Sequence, residues 1–145
     1  MRVLLQSVLR IFRPIIQSSV RPHEVRFHEL SKGLRKGTLT LIDCRNQTER
    51  EDPGMIPGSF NIPLHEAQEA FKLTESEFEA RYRFKKPDPS NDQVVVACRS
   101  GKRAEDFIDR IRPLGYENFR LYKGSFLDWE EKGGPVTREK LRGPQ

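Results

Sequence analysis

Cysteine is scarce in this 145-residue chain: Cys44 and Cys98 are the only two, too few for the disulfide framework of a small secreted scaffold. Long apolar runs are missing as well. No stretch approaches the ~18 uninterrupted apolar residues of a membrane span, and mean hydropathy is −0.71. The three histidines, His23, His28 and His65, lack metal-ligand spacing, so no metal is assigned. No internal repeat or low-complexity tract is evident. A length of 145 residues with 35% hydrophobic content suits one compact domain and is short for two.

Acid is absent from the first 23 positions, and this gap changes how the charge reads. Overall, 26 Lys and Arg face 21 Asp and Glu, a net charge of +5. That surplus would suggest nucleic acid or an anionic surface as partner. Residues 1–23, however, hold four arginines (Arg2, Arg10, Arg13, Arg21), leaving 22 basic and 21 acidic residues in the remainder. The basic character belongs to a tail, and nucleic acid is not an expected partner. On a helical wheel of about 100° per residue, those arginines share one sector with Gln6 and Gln17. Leu4, Leu5, Val8, Leu9, Ile11, Phe12, Ile15 and Ile16 fill the opposite side. A basic, acid-free amphipathic segment with serines reads as a mitochondrial transit peptide over residues 1–22. Arg10 and Arg13 interrupt the continuous apolar core a secretory signal needs. The expected organisation is a removable address, a nearly neutral domain over 23–137 and a short tail at 138–145, located in mitochondria, in the matrix, without stable membrane insertion.

The remainder alternates short strand-like and helix-like pieces. Residues 39–43 (LTLID) form a β-rich run ending in acid, and 59–62 suit another short strand between turn formers. Residues 66–84 suggest one or two exposed helices, with Thr74 and Glu77 spaced as a capping box. Residues 93–97 (QVVVA) are a continuous β-branched run, the pattern of a strand covered on both faces. Residues 104–111 place Ala104, Phe107, Ile108 and Ile111 on one helical side, ended by Pro113 and Gly115. A strand at 119–122 and a helical turn at 124–131 follow. This alternation predicts an α/β domain with a mostly parallel central sheet flanked by helices.

The chemistry concentrates at Cys98-Arg99-Ser100-Gly101-Lys102-Arg103. A buried strand delivers Cys98 to its C-terminal end, and a short glycine-containing loop then opens a helix. Loop and helix-start amides aimed at the thiol form an anion cradle. Arg99, Lys102 and Arg103 add positive charge, which lowers a thiol's pKa and leaves a reactive thiolate at neutral pH. Nucleophile and receptor for a small anion therefore coincide.

These six residues resemble the active-site loop of the rhodaneses, or thiosulfate sulfurtransferases, C-R-x-G-x-R/T. Two further segments agree. Asp43-Cys44-Arg45 with Glu49, followed by Ile56-Pro57-Gly58-Ser59-Phe60-Asn61-Ile62-Pro63, is similar to D-V-R-x-x-x-E…I-P-G-A-x-N-I-P. Gly124, Trp129 and Gly133-Gly134-Pro135-Val136 are similar to the C-terminal G-x-x-x-x-W-x-x-x-G-x-P-V. The likeness runs from about residue 24 to 137 and is greatest to single-domain eukaryotic members. Three departures stand out: Met55 where many members have His, one extra residue between Asp43 and Gly54, and Cys44 in place of Val.

Loop length separates this family from cysteine phosphatases of related architecture, which use C-x5-R; here Arg103 makes it C-x4-R. The resemblance implies double displacement. Cys98 takes the outer sulfur of thiosulfate as a persulfide, sulfite leaves, and the sulfur passes to a glutathione-like thiol or to cyanide, with no cofactor. Arg99, Ser100, Gly101, Lys102 and Arg103 would bind the donor. Asp43, Arg45 and Glu49 would support the site, Asp43 anchoring loop amides or Arg103, and Arg45 pairing with Glu49 or facing the pocket. A persulfide carrier docking to a protein acceptor, and a non-catalytic binding module, are the competing functions. Cys44 is a candidate resolving thiol. Adjacent strand residues face opposite ways, however, so if Asp43 faces the site Cys44 should face away, as core.

Overall fold

The structure, a computed structural model, describes residues 21–138. Most of the transit-peptide segment 1–22 and nearly all of the 138–145 tail therefore lie outside the described residues. The elements in chain order are α1 (Phe27–Lys36), β1 (Thr40–Asp43), α2 (Gln47–Glu51), β2 (Phe60–Asn61), α3 (Ala67–Lys72), α4 (Glu75–Tyr82), β3 (Val94–Ala97), α5 (Lys102–Ile111), β4 (Arg120–Leu121) and α6 (Ser125–Glu131). Short 3-10 turns at Leu64–Glu66 and Arg112–Leu114 lead into α3 and out of α5.

The four strands form one parallel sheet in the order β2-β1-β3-β4. All four side chains of β3 are buried, as its unbroken β-branched sequence predicts. Alternation along the strands divides the core. Ile42, Val94 and Val96 face α3, α4 and α5, whereas Leu41, Val95 and Ala97 face α1 and α6. Ala104, Phe107, Ile108 and Ile111 of α5 are fully buried. Each large side chain among them contributes about 1.5–3 kcal/mol of apolar burial.

Two helices escaped the sequence reading. α1 is amphipathic, with Leu30 buried and Gly37 ending it in the left-handed region, but its many charges mask the apolar stripe. α2 has five residues, too few for periodicity to register. The Thr74 hydroxyl accepts from the Glu77 amide at the start of α4, one half of the expected capping box.

Topology fixes where a ligand can sit. β1 connects to β2 on one side of the sheet, β3 to β4 on the other, so the carboxyl ends of β1 and β3 flank a switch in winding direction. Open parallel sheets place their binding crevices there.

Candidate active site

Register across that crevice is set by Asp43 opposite Ala97, with the Cys44 amide donating to the Ala97 carbonyl at 2.9 Å. The next residues along the two strands are Cys44 and Cys98. Both are buried, both are free thiols, and both belong to the core face that carries Ile42 and Val96.

The loop after β3 wraps its backbone around Cys98. The Gly101 amide donates to Cys98 Sγ at 3.0 Å, and the amides of Ser100 and Ala104 also stabilise the charged form. A hydrogen bond from the Cys44 thiol contributes most, and the net effect lowers the Cys98 pKa from its ordinary value to about 5 despite burial. Cys44 moves the opposite way: its hydrogen bond to Cys98, followed by burial, pushes its thiol well above the usual range. One thiolate and one thiol therefore sit side by side.

Gly101 is the residue that permits this loop. Its φ is +100°, and an added Cβ would lie 2.3 Å from the Lys123 carbonyl oxygen, so both conformation and space demand glycine. The segment behind the loop is equally specialised. Ser125 holds a left-handed φ of +57°, accepts the Cys98 amide at 3.1 Å and donates to the Tyr122 carbonyl at 2.8 Å. The first-turn amides of Phe126 and Leu127 in α6 donate to the carbonyls of Cys98 and Arg99. Helix-start donors that would otherwise need partners thus hold the loop in place.

The expected cation set divides. Arg99 and Lys102 are exposed and make no ion pair among the described residues. Arg103 is half-buried and bidentate to Glu49, at 2.7 and 2.9 Å. Its charge holds the Glu49 carboxyl below the usual range. Glu49 also accepts the Asn46 amide at 3.2 Å, so the same carboxylate caps α2 and ties it to the Cys98 loop.

Three supporting expectations need correction. Asp43 bonds neither the amides of the Cys98 loop nor Arg103, although it accepts the Arg45 amide at 3.0 Å. It accepts from Arg45 Nη2 at 2.8 Å and from Arg50 Nη1 at 3.1 Å. Of the two alternatives for Arg45, pairing with the Glu49 carboxylate does not hold, because Arg103 occupies it; Arg45 reaches only the Glu49 backbone carbonyl, at 3.4 Å. Arg45 is buried, reaches the Gly54 carbonyl at 2.8 Å and lies over the Phe126 ring, its guanidinium 4.3 Å from the centroid. The alternation rule holds between Asp43 and Cys44, but with its premise reversed: Asp43 faces the α1–α6 side and Cys44 faces Cys98.

Arg50 and Ser125 went unread in the sequence. Arg50 is buried and also reaches the Ser59 hydroxyl and carbonyl, a role that an arginine in a charged run does not announce. Ser125 directly follows the motif glycine Gly124 and could have been flagged from that position. Trp129 is core: its indole donates to the Pro135 carbonyl at 2.7 Å and its ring closes against Gly134. Among the described residues no group of three or more His, Cys, Asp or Glu could hold a metal ion, and no helix is long and apolar enough to cross a membrane.

Residues 27–132 match the family model of the rhodanese-like domain. A fission-yeast protein, the putative mitochondrial thiosulfate sulfurtransferase of Schizosaccharomyces pombe, is 44% identical over 95 residues, which cover 66% of each chain. The human thiosulfate:glutathione sulfurtransferase is 35% identical over 108 residues, 74% of this chain and 93% of that protein. A solved structure of a human single-domain sulfurtransferase superposes with a TM-score of 0.72 at 34% identity, covering 79% of this chain and all of that one. This chain therefore spans about two thirds of the fission-yeast relative and nearly all of the human ones. By family match, by identity to curated relatives and by fold, the chain belongs to the rhodanese family.

Proposed function

We propose that this protein is a mitochondrial thiosulfate sulfurtransferase working by double displacement through a Cys98 persulfide. The observation that carries the reading is the low-pKa Cys98 thiolate, held at 3.0 Å by the Gly101 amide at the mouth of a parallel sheet. Cys98 attacks the outer sulfur of thiosulfate, the sulfur–sulfur bond of the donor breaks, and sulfite departs with the electron pair. The amides that hold the thiolate then hold the persulfide's outer sulfur, aided by the dipole of α5. A thiol acceptor removes that sulfur and regenerates Cys98.

Arg99 and Lys102 supply the uncommitted charge for the sulfonate end of the donor. Arg103, spent on Glu49, fixes the shape of the loop and adds only background potential. Ser100 and Gly101 contribute backbone donors. The name of the human relative favours glutathione as acceptor, and two yeast relatives named as mitochondrial agree with the acid-free, arginine-bearing segment. In this reading residues 1–22 are the transit peptide, 23–137 the catalytic domain and 138–145 a tail, with the matrix as the working compartment.

The test is turnover. Incubated with thiosulfate and glutathione or cyanide, the purified protein should release sulfite together with sulfide or thiocyanate, and Cys98→Ser should abolish both. A persulfide that forms but reaches no small acceptor would favour a carrier that docks to a protein acceptor. Hydrolysis of a phosphate ester would overturn the reading. Residues 1–30 fused to a reporter should direct it to mitochondria; a cytosolic signal would sink the address.

A further inference from the structure

Cys44 is the reactive group that the sulfur-transfer cycle leaves unused. It occupies the position directly after β1, opposite Cys98, in a register fixed by the Asp43–Ala97 pairing and the 2.9 Å bond from the Cys44 amide to the Ala97 carbonyl. Neighbouring strands lie about 4.8 Å apart, inside the range of roughly 4.4–6.8 Å that Cα atoms of a disulfide span. The two side chains share one face of the sheet, and each thiol shifts the pKa of the other. Cys98 Sγ also meets the amide cradle of Ser100, Gly101 and Ala104. A sulfur added to Cys98 would be held by these amides, and Cys44 is the thiol beside the inner sulfur.

We propose that Cys44 is a resolving thiol: it displaces the sulfur carried by Cys98 as hydrogen sulfide and closes a Cys44–Cys98 disulfide, giving the protein a second, sulfide-releasing activity that a small dithiol reductant sustains. The inference rests on the sulfurtransferase reading, which supplies the persulfide. In the step, the Cys44 sulfur bonds to the inner sulfur of Cys98 and the inner–outer sulfur bond breaks. The outer sulfur leaves with the electron pair and takes up the proton lost from Cys44. The outer sulfur is reduced to sulfide and the Cys44 sulfur is oxidised, so the persulfide itself is the oxidant. A dithiol entering through the cradle then reduces the disulfide, becomes a cyclic disulfide and restores both thiols. The net reaction converts thiosulfate and dithiol to sulfite, hydrogen sulfide and disulfide.

The resting site keeps this step in order. While Cys98 is a thiolate, its charge and its hydrogen bond hold the Cys44 proton in place. Persulfide formation moves the negative charge from the inner to the outer sulfur and weakens that restraint, while burial and Asp43 continue to hold the Cys44 thiol above its ordinary range, so sulfide release should quicken as the pH rises.

The experiment uses the full chain, thiosulfate and no acceptor, with sulfite and sulfide measured and the intact mass recorded under non-reducing conditions. The wild type should release one sulfite and then one sulfide per chain, and its mass should settle two hydrogens below that of the reduced protein. Dithiothreitol should reverse the mass change and restart sulfide release. Cys44→Ser and Cys44→Ala, assayed at a pH high enough to ionise Cys98 without its Cys44 neighbour, should each release sulfite, retain the mass of one added sulfur and release no sulfide. Sulfite release by these variants also shows that they are folded and loaded. A wild type that keeps the added sulfur and forms no disulfide would overturn the resolving role alone, as would variants that match its sulfide yield. Absence of sulfite from the wild type would overturn the sulfurtransferase reading and this inference with it.

Discussion

Two loops leave the same end of the sheet, one after β1 and one after β3, and they use charge in opposite ways. After β1, Asp43 is enclosed by Arg45 and Arg50, each side chain buried and bonded to the others or to backbone carbonyls. After β3, the thiolate of Cys98 meets mainly backbone amides and a neutral thiol, while Arg99 and Lys102 stand exposed at the rim. Charge neutralised by side-chain partners builds a frame. Charge held by fixed dipoles, with cations left uncommitted, stays available to a substrate. Arg103 bridges the two styles through its bidentate pair with Glu49, which links the frame to the cradle.

The largest effect should come from breaking the frame. Asp43→Asn keeps the size of the side chain and removes the carboxylate that compensates two buried guanidinium groups. Stranding buried charge typically costs about 3–5 kcal/mol, so the urea midpoint should fall sharply at an unchanged slope. A shift under 1 kcal/mol would show that the frame tolerates uncompensated charge and would remove the distinction between the loops.

Breaking the cradle should spare the fold more than the chemistry. Gly101→Ala forces a Cβ to within 2.3 Å of the Lys123 carbonyl at a φ of +100°, a strain of order 1–3 kcal/mol. The loop must shift to accept it, and the amide that holds Cys98 shifts too. Sulfite release should fall at least tenfold while most of the protein remains folded, read by circular dichroism beside the assay. Unchanged turnover would mean that the amide position is not what sustains the thiolate.

The contrast sharpens further with pH. Cys98, lowered to about 5, is deprotonated above that value, so its alkylation by iodoacetamide should rise through pH 5 and stay flat toward neutrality. Cys44, raised by its bond to Cys98 and by burial, should remain unmodified over the same range in peptide maps. An inflection near the ordinary thiol value of about 8.5 would show that the cradle is not charging Cys98.

The sequence announced the two loops unequally. Strand β3, the cysteine at its end, the glycine and the helix after it are contiguous, so residues 93–111 read directly as strand, cradle and helix. The frame is assembled across distance: Arg50 bonds Ser59, and Arg103 bonds Glu49 more than fifty positions away. A linear motif marks such residues without saying who pairs with whom, which is why it does not show that Arg103 takes the Glu49 carboxylate and that Asp43 takes Arg45 and Arg50. The orientation of Cys44 turned on a single parity. Alternation holds between Asp43 and Cys44, but which of the two faces the cradle is decided by the buried arginines that Asp43 meets.

The smallest expected effect lies at the rim. Arg99 and Lys102 are exposed and without ion pairs among the described residues, so in the proposed reading each would act on thiosulfate through solvent. Exposed pairs contribute roughly 0.2–1 kcal/mol, which corresponds to about a 1.5- to 5-fold change in affinity. Arg99→Ala and Lys102→Ala should each raise KM for thiosulfate by about that factor, with kcat changing less than KM. Added salt should erode the same advantage in the wild type and much less in the double variant, because screening acts on exposed charges first. If Arg103→Met raised KM more than either rim substitution while the loop and fold stayed intact, the donor would be bound by the charge tied to Glu49, and the division between frame and receptor would have to be redrawn at that residue.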